Sequence, residues 1–391
     1  MRNRLIAITA VAVTAALLPA LPAAARLGPT WAAGPDFSSP PGTTGAEWRD
    51  VSATGPADVW AVGVLRNLTD NPLTAHWDGK SWTAAPISTP STVLRYDLTA
   101  VDTVAPDDVW VVGSAISATR TAVVLHYNGA WTPVALPQQP VGQTSTLTDV
   151  DMSATDGWAV GYTAARGKPS RALIERRKGA SWVEVAAPAT DATATELSAV
   201  YARAADDVWA AGSQVRVDGH RTALILHWDG VGWRQVSPEV GGPDEAVFLT
   251  SVSASTADDV WAAGRLCSTV DIVESCRPLA LHLSGGAWAA VPMTGDETEL
   301  TEVLAFSPDD VWVVGYVDDT LALDTDSAEH WDGHTFTPDT DIPSAQGGAE
   351  LNGEPASALS AATAIPGTGA IWAVGWTGDP VLGDTHVVHR G

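Results

Sequence analysis

The chain is poor in cysteine, in basic residues and, past its first two dozen positions, in long apolar runs. Of 391 residues only two are cysteine, Cys267 and Cys276. Two Cys are too few ligands for a structural zinc site. Nine positions apart in an exported chain, they are expected to form a disulfide. Lysine and arginine number 21 against 46 aspartates and glutamates, and no basic residue stands between Arg277 and Arg390. A surface of that sign repels nucleic acid and anionic lipid, so neither is expected as a partner. No stretch after the start is apolar enough to span a bilayer, and a 3.6-residue apolar period is missing throughout. Helical bundles and membrane insertion are thereby excluded.

The start itself reads as an export signal. A basic Met1-Arg2-Asn3-Arg4 precedes the apolar run Leu5 to Leu21, and Ala23-Ala24-Ala25 offers small residues for cleavage. Residues 1–25 are therefore expected to be removed, leaving 26–391 as one released, monomeric, extracellular chain. Loss of Arg2 and Arg4 leaves 19 basic residues against 46 acidic, a formal charge of −27.

What the chain has in abundance is repetition. The phrase Asp-Val-Trp-Ala-Val-Gly and its variants place Trp60, Trp110, Trp158, Trp209, Trp261, Trp312 and Trp372 at intervals of 50, 48, 51, 52, 51 and 60 residues. About twelve residues earlier stands a short apolar segment such as Leu98-Thr-Ala-Val101 or Leu147-Thr-Asp-Val150. After the tryptophan comes a second run ending in His and a large residue, as at His76-Trp77 and His227-Trp228. A turn follows, often Asp-Gly, and a last segment opens on an aromatic such as Trp82, Trp131 or Trp233. Four short β-branched and aromatic segments per unit are strands, and Asp-Gly between two of them marks a hairpin because Gly and Asp tolerate positive φ. Four antiparallel strands every 50 residues describe a propeller blade. The expected fold is all-β: a seven-bladed propeller with blades near 47–90, 94–140, 146–190, 196–240, 247–293, 299–343 and 357–391.

The seventh copy lacks its fourth strand. An orphan segment, Thr30-Trp31-Ala-Ala-Gly-Pro35, resembles the fourth strand at Ser81-Trp82-Thr-Ala-Ala-Pro86. Residues 29–36 are therefore expected to complete the last blade and close the ring, removing an open edge. Tryptophans that recur at the same position of every blade are expected to pack blade against blade. The recurring His is expected to be a satisfied, half-buried strand residue. The recurring Asp before Val-Trp is expected to cap a turn with its side chain.

The phrase Asp-Val-Trp-Ala-Val-Gly with His-Trp-Asp-Gly-x-x-Trp resembles the repeats of secreted, Ala-rich actinobacterial proteins over residues 29–391. More distantly it resembles the kelch (galactose-oxidase-type) and sialidase-type propellers. The sialidase Asp-x-Gly turn corresponds to Asp78-Gly79-Lys80-Ser81-Trp82, which is one residue tighter, and the kelch double glycine is missing. The copper set and the arginine triad of those enzymes have no counterpart, so the resemblance implies their fold without their chemistry.

Function is expected in the segments that differ between blades: Val64 to Thr74, Arg265 to Pro278, Val317 to Ser327 and Ala345 to Ser357. Variable loops on a rigid ring are where binding lives. The binding residues expected are Trp376, Tyr162, Tyr316 and Arg265. Asp318, Asp319, Asp324 and Asp326 form the densest acidic group and would suit calcium, the one cofactor the sequence allows. The expected function is non-catalytic extracellular binding or scaffolding, with a glycan, a cell-wall polymer or a protein as partner. The alternative is a carbohydrate-active hydrolase or lyase, which requires carboxylates with raised pKa converging in the central mouth.

Overall fold

The computed structural model describes residues 30–391 except 36, 41, 68, 69, 155, 271, 272, 296, 297, 319–323, 344–349, 352, 353 and 379–382. The expected signal at 1–25 and Asp319 lie outside the described residues.

Seven four-stranded antiparallel sheets follow one another in the order of the repeats. Blade one holds β2 (Gly45–Gly55), β3 (Asp58–Arg66), β4 (Asn71–Trp77) and β5 (Trp82–Ala84). Blade two holds β6 (Arg95–Ala105), β7 (Asp108–Ile116), β8 (Arg120–Tyr127) and β9 (Trp131–Val134). Blade three holds β10 (Gln143–Met152), β11 (Asp156–Ala165), β12 (Lys168–Lys178) and β13 (Ser181–Glu184). Blade four holds β14 (Ala194–Ala204), β15 (Asp207–Val215), β16 (Arg221–Trp228) and β17 (Trp233–Gln235). Blade five holds β18 (Glu245–Thr256), β19 (Asp259–Val270), β20 (Val273–Ser284) and β21 (Ala287–Val291). Blade six holds β22 (Thr298–Ser307), β23 (Asp310–Val317), β24 (Thr325–Trp331) and β25 (Phe336–Pro338). A two-stranded ribbon, β26 (Glu350–Leu351) and β27 (Glu354–Pro355), precedes blade seven, which holds β28 (Ser357–Ile365), β29 (Ala370–Thr377) and β30 (Asp384–Arg390). Its fourth strand is β1 (Trp31–Ala33), which pairs antiparallel with β30 through Trp31↔Arg390 and Ala33↔Val388. The N-terminal strand closes the ring as expected.

The repeated phrase has a geometric cause. The first strand of each blade bulges by one residue opposite the glycine that ends the phrase, as between Leu197 and Ala199 opposite Gly212. A Cβ on Gly212 would lie 2.1 Å from the carbonyl oxygen of Glu196. Only glycine fits against that bulge.

The tryptophan of each phrase fills the space between its own blade and the next. Trp60 stacks on His76 of its own blade, with centroids 4.8 Å apart, and meets Tyr127 and Trp131 of blade two. Trp261 stacks on His282 at 4.0 Å and meets Trp331 and Phe336 of blade six. Where the third strand of the next blade offers an arginine, the guanidinium joins the fourth-strand aromatic: Arg177 lies 4.5 Å over Trp110 beside Trp182, and Arg390 4.1 Å over Trp312 beside Trp31.

The recurring His is indeed a satisfied strand residue, and the recurring Asp serves both it and the turn: one oxygen meets the His, and the other accepts across the preceding turn from Thr54 at Asp58, Arg203 at Asp207 and Ser255 at Asp259. His76 Nε2 lies 2.7 Å from Asp58 Oδ1, and the pairs His126–Asp108, His227–Asp207, His282–Asp259 and His330–Asp310 repeat the contact at 2.6–2.8 Å. In blade three Arg176 replaces the histidine and bonds Asp156. The Asp-Gly turns are capped by their own aspartates: Asp78 Oδ1 accepts from the Lys80 and Ser81 amides at 2.9 Å. Those two bonds hold the Asp78 carboxyl below its usual range.

Two of the four expected variable loops are largely ladder. β3 and β4 leave four residues between them, and β19 continues into β20 with two. Cys267 and Cys276 face each other across that hairpin and form the expected disulfide. The added length there extends the strands beyond the ring.

Candidate functional site

The first strands surround the axis and leave a channel cavity of about 340 Å³. Its wall repeats by blade, and side chains of one first strand latch the backbone of the next. Thr99 Oγ1 donates to the Leu147 carbonyl at 2.8 Å, Thr148 to Leu197 at 2.9 Å, Thr250 to Leu300 at 2.7 Å and Thr301 to Leu359 at 3.0 Å. Carboxylates make the reverse latch. Asp50 accepts from the Val101 amide, Asp102 from Met152, Asp149 from Val200 and Asp151 from Ala202, each at 2.7 Å. Glu302 accepts from the Ser251 hydroxyl.

Five carboxyls thus line one narrow lumen whose only lining cation is Arg49. All five are half-buried around a lumen ringed by protein, which limits the water that hydrates their charged forms. Burial pushes Asp149 up to about 7 and Glu302 up to about 8, against the pull of their hydrogen bonds. Burial also raises Asp50, with Asp149 and Glu302 adding repulsion, and raises the neighbouring pair Asp102 and Asp151. Sequence reading missed all five. They stand in short segments read as apolar, Asp149 and Asp151 in the same one, and segments some fifty residues apart give no hint of convergence. The usable signal was an acid two or four places after the bulge-side residue of a first strand, as at Leu147-Thr-Asp-Val-Asp151.

Above this layer, towards the end where second and third strands connect, the frame stops repeating. The residue after the second-strand glycine is Val64, Ser114, Tyr162, Ser213, Arg265, Tyr316 and Trp376 in successive blades. The four expected binding residues therefore occupy one rung of the ring. Their neighbours differ. Arg265 of blade five pairs with Glu299 of blade six and lies 5.2 Å over Phe248. Tyr316 donates its hydroxyl to the same Glu299 at 2.8 Å, and burial together with that carboxylate pushes the phenol above its usual range. Tyr162 and Trp376 are half-buried on the equivalent rung, Trp376 opposite Ala358 and Thr385. The structure brings Arg265 and Tyr316 together on Glu299 and sets Tyr162 across the mouth in blade three.

The acidic group is divided. Asp318 is exposed. Burial raises the Asp324 carboxyl, and Asp318 and Glu299 add to it. Asp326 turns into the blade seven interface and pairs with the buried His386 at 2.8 Å. Among the described residues no three His, Cys, Asp or Glu side chains are placed to share a metal ion.

No protein-family model matches the chain, and no curated protein matches it in sequence. Solved structures do share its architecture. The lectin BP39L from Burkholderia pseudomallei is similar at a TM-score of 0.56 and 10% identity, covering 89% of this chain and 98% of its own. A PL25 ulvan lyase, a polysaccharide lyase, is similar at 0.54 and 10%, covering 88% and 94%. YCF48 bound to a D1 peptide is similar at 0.52 and 13%, covering 94% and 96%. Identities this low establish a shared fold, and a fold of this kind hosts unrelated functions.

Proposed function

We propose that this protein is a non-catalytic, exported binding ring that holds a glycan or cell-wall polymer at the rim of its channel, between blades five and seven. The observation that carries this reading is the single non-repeating rung. Everything around it is fixed by packing that recurs blade after blade, whereas this rung presents Arg265, Tyr316 and Trp376 in three consecutive blades. A guanidinium and a phenol that share the Glu299 carboxylate, with an indole on the same rung of the next blade, suit a polyhydroxylated ligand: the indole would stack on a sugar's C–H face and the polar groups would bond its hydroxyls. Among rings of similar fold, one is a lectin and another is a lyase bound to a sulfated glucuronate–rhamnose polymer.

The second reading is a hydrolase or lyase. It is favoured by the carboxyls of Asp149 and Glu302, whose raised values would let either hold a proton near neutrality. Against it, the same oxygens accept bonds from the neighbouring blade and are spent on the frame.

A screen of the exported chain on glycans and cell-wall polymers tests both readings. Calcium is present in one arm and chelated in another, because Asp318 and Asp324 would flank the same rim. Retention of one polymer class without release of fragments is expected. Fragment release, lost on Glu302→Gln, would favour the enzyme; retention of nothing would contradict both.

A further inference from the structure

Among the described residues, blade three carries the only arginines that no carboxylate compensates. Of the fifteen arginines among the described residues, twelve lie within 4.0 Å of a carboxylate oxygen. Arg166, Arg171 and Arg177 do not, and all three belong to this blade. Arg177 is spent on Trp110 at the blade two interface. Arg166 and Arg171 are exposed at the end of the ring where second and third strands connect, and exposed Lys168 stands between them.

The local fold sets the three residues close together along the backbone. β11 passes into β12 through a two-residue turn, with Ala165 opposite Lys168 and Gly167 at φ 74°. Arg171 follows one short step down the strand, opposite Thr163, and is anchored by a bond to the Thr193 carbonyl. Three cations are thus held at the tip of one hairpin. At the corresponding ends of other blades each arginine is neutralised: Arg66 by Glu47, Arg120 by Asp97, Arg221 by Glu196 and Arg265 by Glu299.

We propose that this hairpin tip, through Arg166, Lys168 and Arg171, binds an acidic polysaccharide. The sign of the ligand follows from three cations that no carboxylate neutralises. Its shape follows from the rest of the chain, which is strongly acidic outside this blade. A flat anionic surface or a nucleic-acid duplex would bring dense negative charge against that acidic remainder, within about a Debye length, ~8–10 Å. A thin, flexible polymer with one carboxylate per sugar can cross the tip of a single blade and leave the remainder in solvent. This site lies outside the rim that Arg265, Tyr316 and Trp376 would form and does not depend on it.

The test measures binding of polygalacturonate to the whole exported chain, alongside duplex DNA and vesicles rich in anionic lipid. Three charge contacts predict an affinity that falls on the order of tenfold as salt rises from about 50 to about 200 mM. The double variant Arg166→Ser/Lys168→Ser touches only exposed side chains and should melt like the parent while losing about tenfold in affinity. Trp376→Ala should bind polygalacturonate unchanged. The proposal is overturned if polygalacturonate is not bound at low salt, if the double variant binds it equally well, if Trp376→Ala is the variant that loses it, or if DNA or vesicles bind more tightly.

Discussion

Trp31, at the start of the described chain, lies edge-on to Trp312 of blade six, with ring centroids 6.1 Å apart and planes at 76°. The relation reproduces that of Trp131 to Trp60, at 5.8 Å and 89°, between blades one and two. The closing strand therefore does more than cover an edge: it supplies the aromatic that the sixth interface would otherwise lack. Trp31→Ala is expected to cost about 3–5 kcal/mol, the range for emptying a large aromatic from a core. Thermal unfolding checks this, and size-exclusion chromatography of a chain lacking residues 26–39 should show self-association through the freed β30 edge. A truncated chain that melts like the parent contradicts the closure.

The channel carboxyls predict how stability varies with pH. Asp149 and Glu302 have folded values of about 7 and 8, above the ordinary unfolded values near 4. Between those limits the folded state holds protons that the unfolded state has released. Stability is therefore full at pH about 4 and falls as pH rises towards 8. The melting temperature should be higher at pH 5 than at pH 8.5. Asp149→Asn, which keeps an acceptor for the Val200 amide, should flatten the decline. A melting temperature that rises from pH 5 to 8.5 contradicts the poor hydration of these groups.

The bulge glycine predicts a sharp contrast between two alanine substitutions. Gly212→Ala drives a Cβ into the Glu196 carbonyl and should cost about 2–3 kcal/mol or more. Gly232→Ala meets nothing within 4 Å and should be close to neutral. Denaturant midpoints of the two variants decide it, and equal midpoints would show that the bulge can relax.

The His–Asp pairs predict stability without metal. His282→Ala removes the stacked partner of Trp261 and deprives the buried Asp259 of a hydrogen bond, an expected loss of about 1–3 kcal/mol. His334→Ala, on an exposed turn, should change little. Urea midpoints with and without chelator measure both claims. A chelator effect that disappears in the His282 variant would replace the pairing account with a metal site.

The blades were legible because packing demands the same residues each time, and Trp60, Gly63 and His76 announce their roles by recurring. The closing strand was legible for the same reason, since Trp31 copies Trp82. The role of Asp58 was half legible: the sequence places it at the turn, where it accepts from Thr54, but only the three-dimensional pairing brings it to His76, eighteen residues on. Arg265 to Pro278 read as a loop because it breaks the repeat, whereas alternation across a hairpin lets Cys267 meet Cys276. The acidic channel was hidden because Asp50, Asp149 and Glu302 come from blades one, three and six, and convergence around an axis has no expression in chain order. The common rung of Tyr162, Arg265, Tyr316 and Trp376 was partly legible, since all four follow the glycine of the repeated phrase.

The separation of frame from rim is tested most directly by measuring, for Trp376→Ala, both the melting temperature and the affinity for whichever polymer the parent retains. A half-buried residue on the non-repeating rung should lose tenfold or more in affinity, about 1.4 kcal/mol, while the ring stays folded well above the assay temperature. Undiminished affinity in a folded variant would contradict the rim as the binding site.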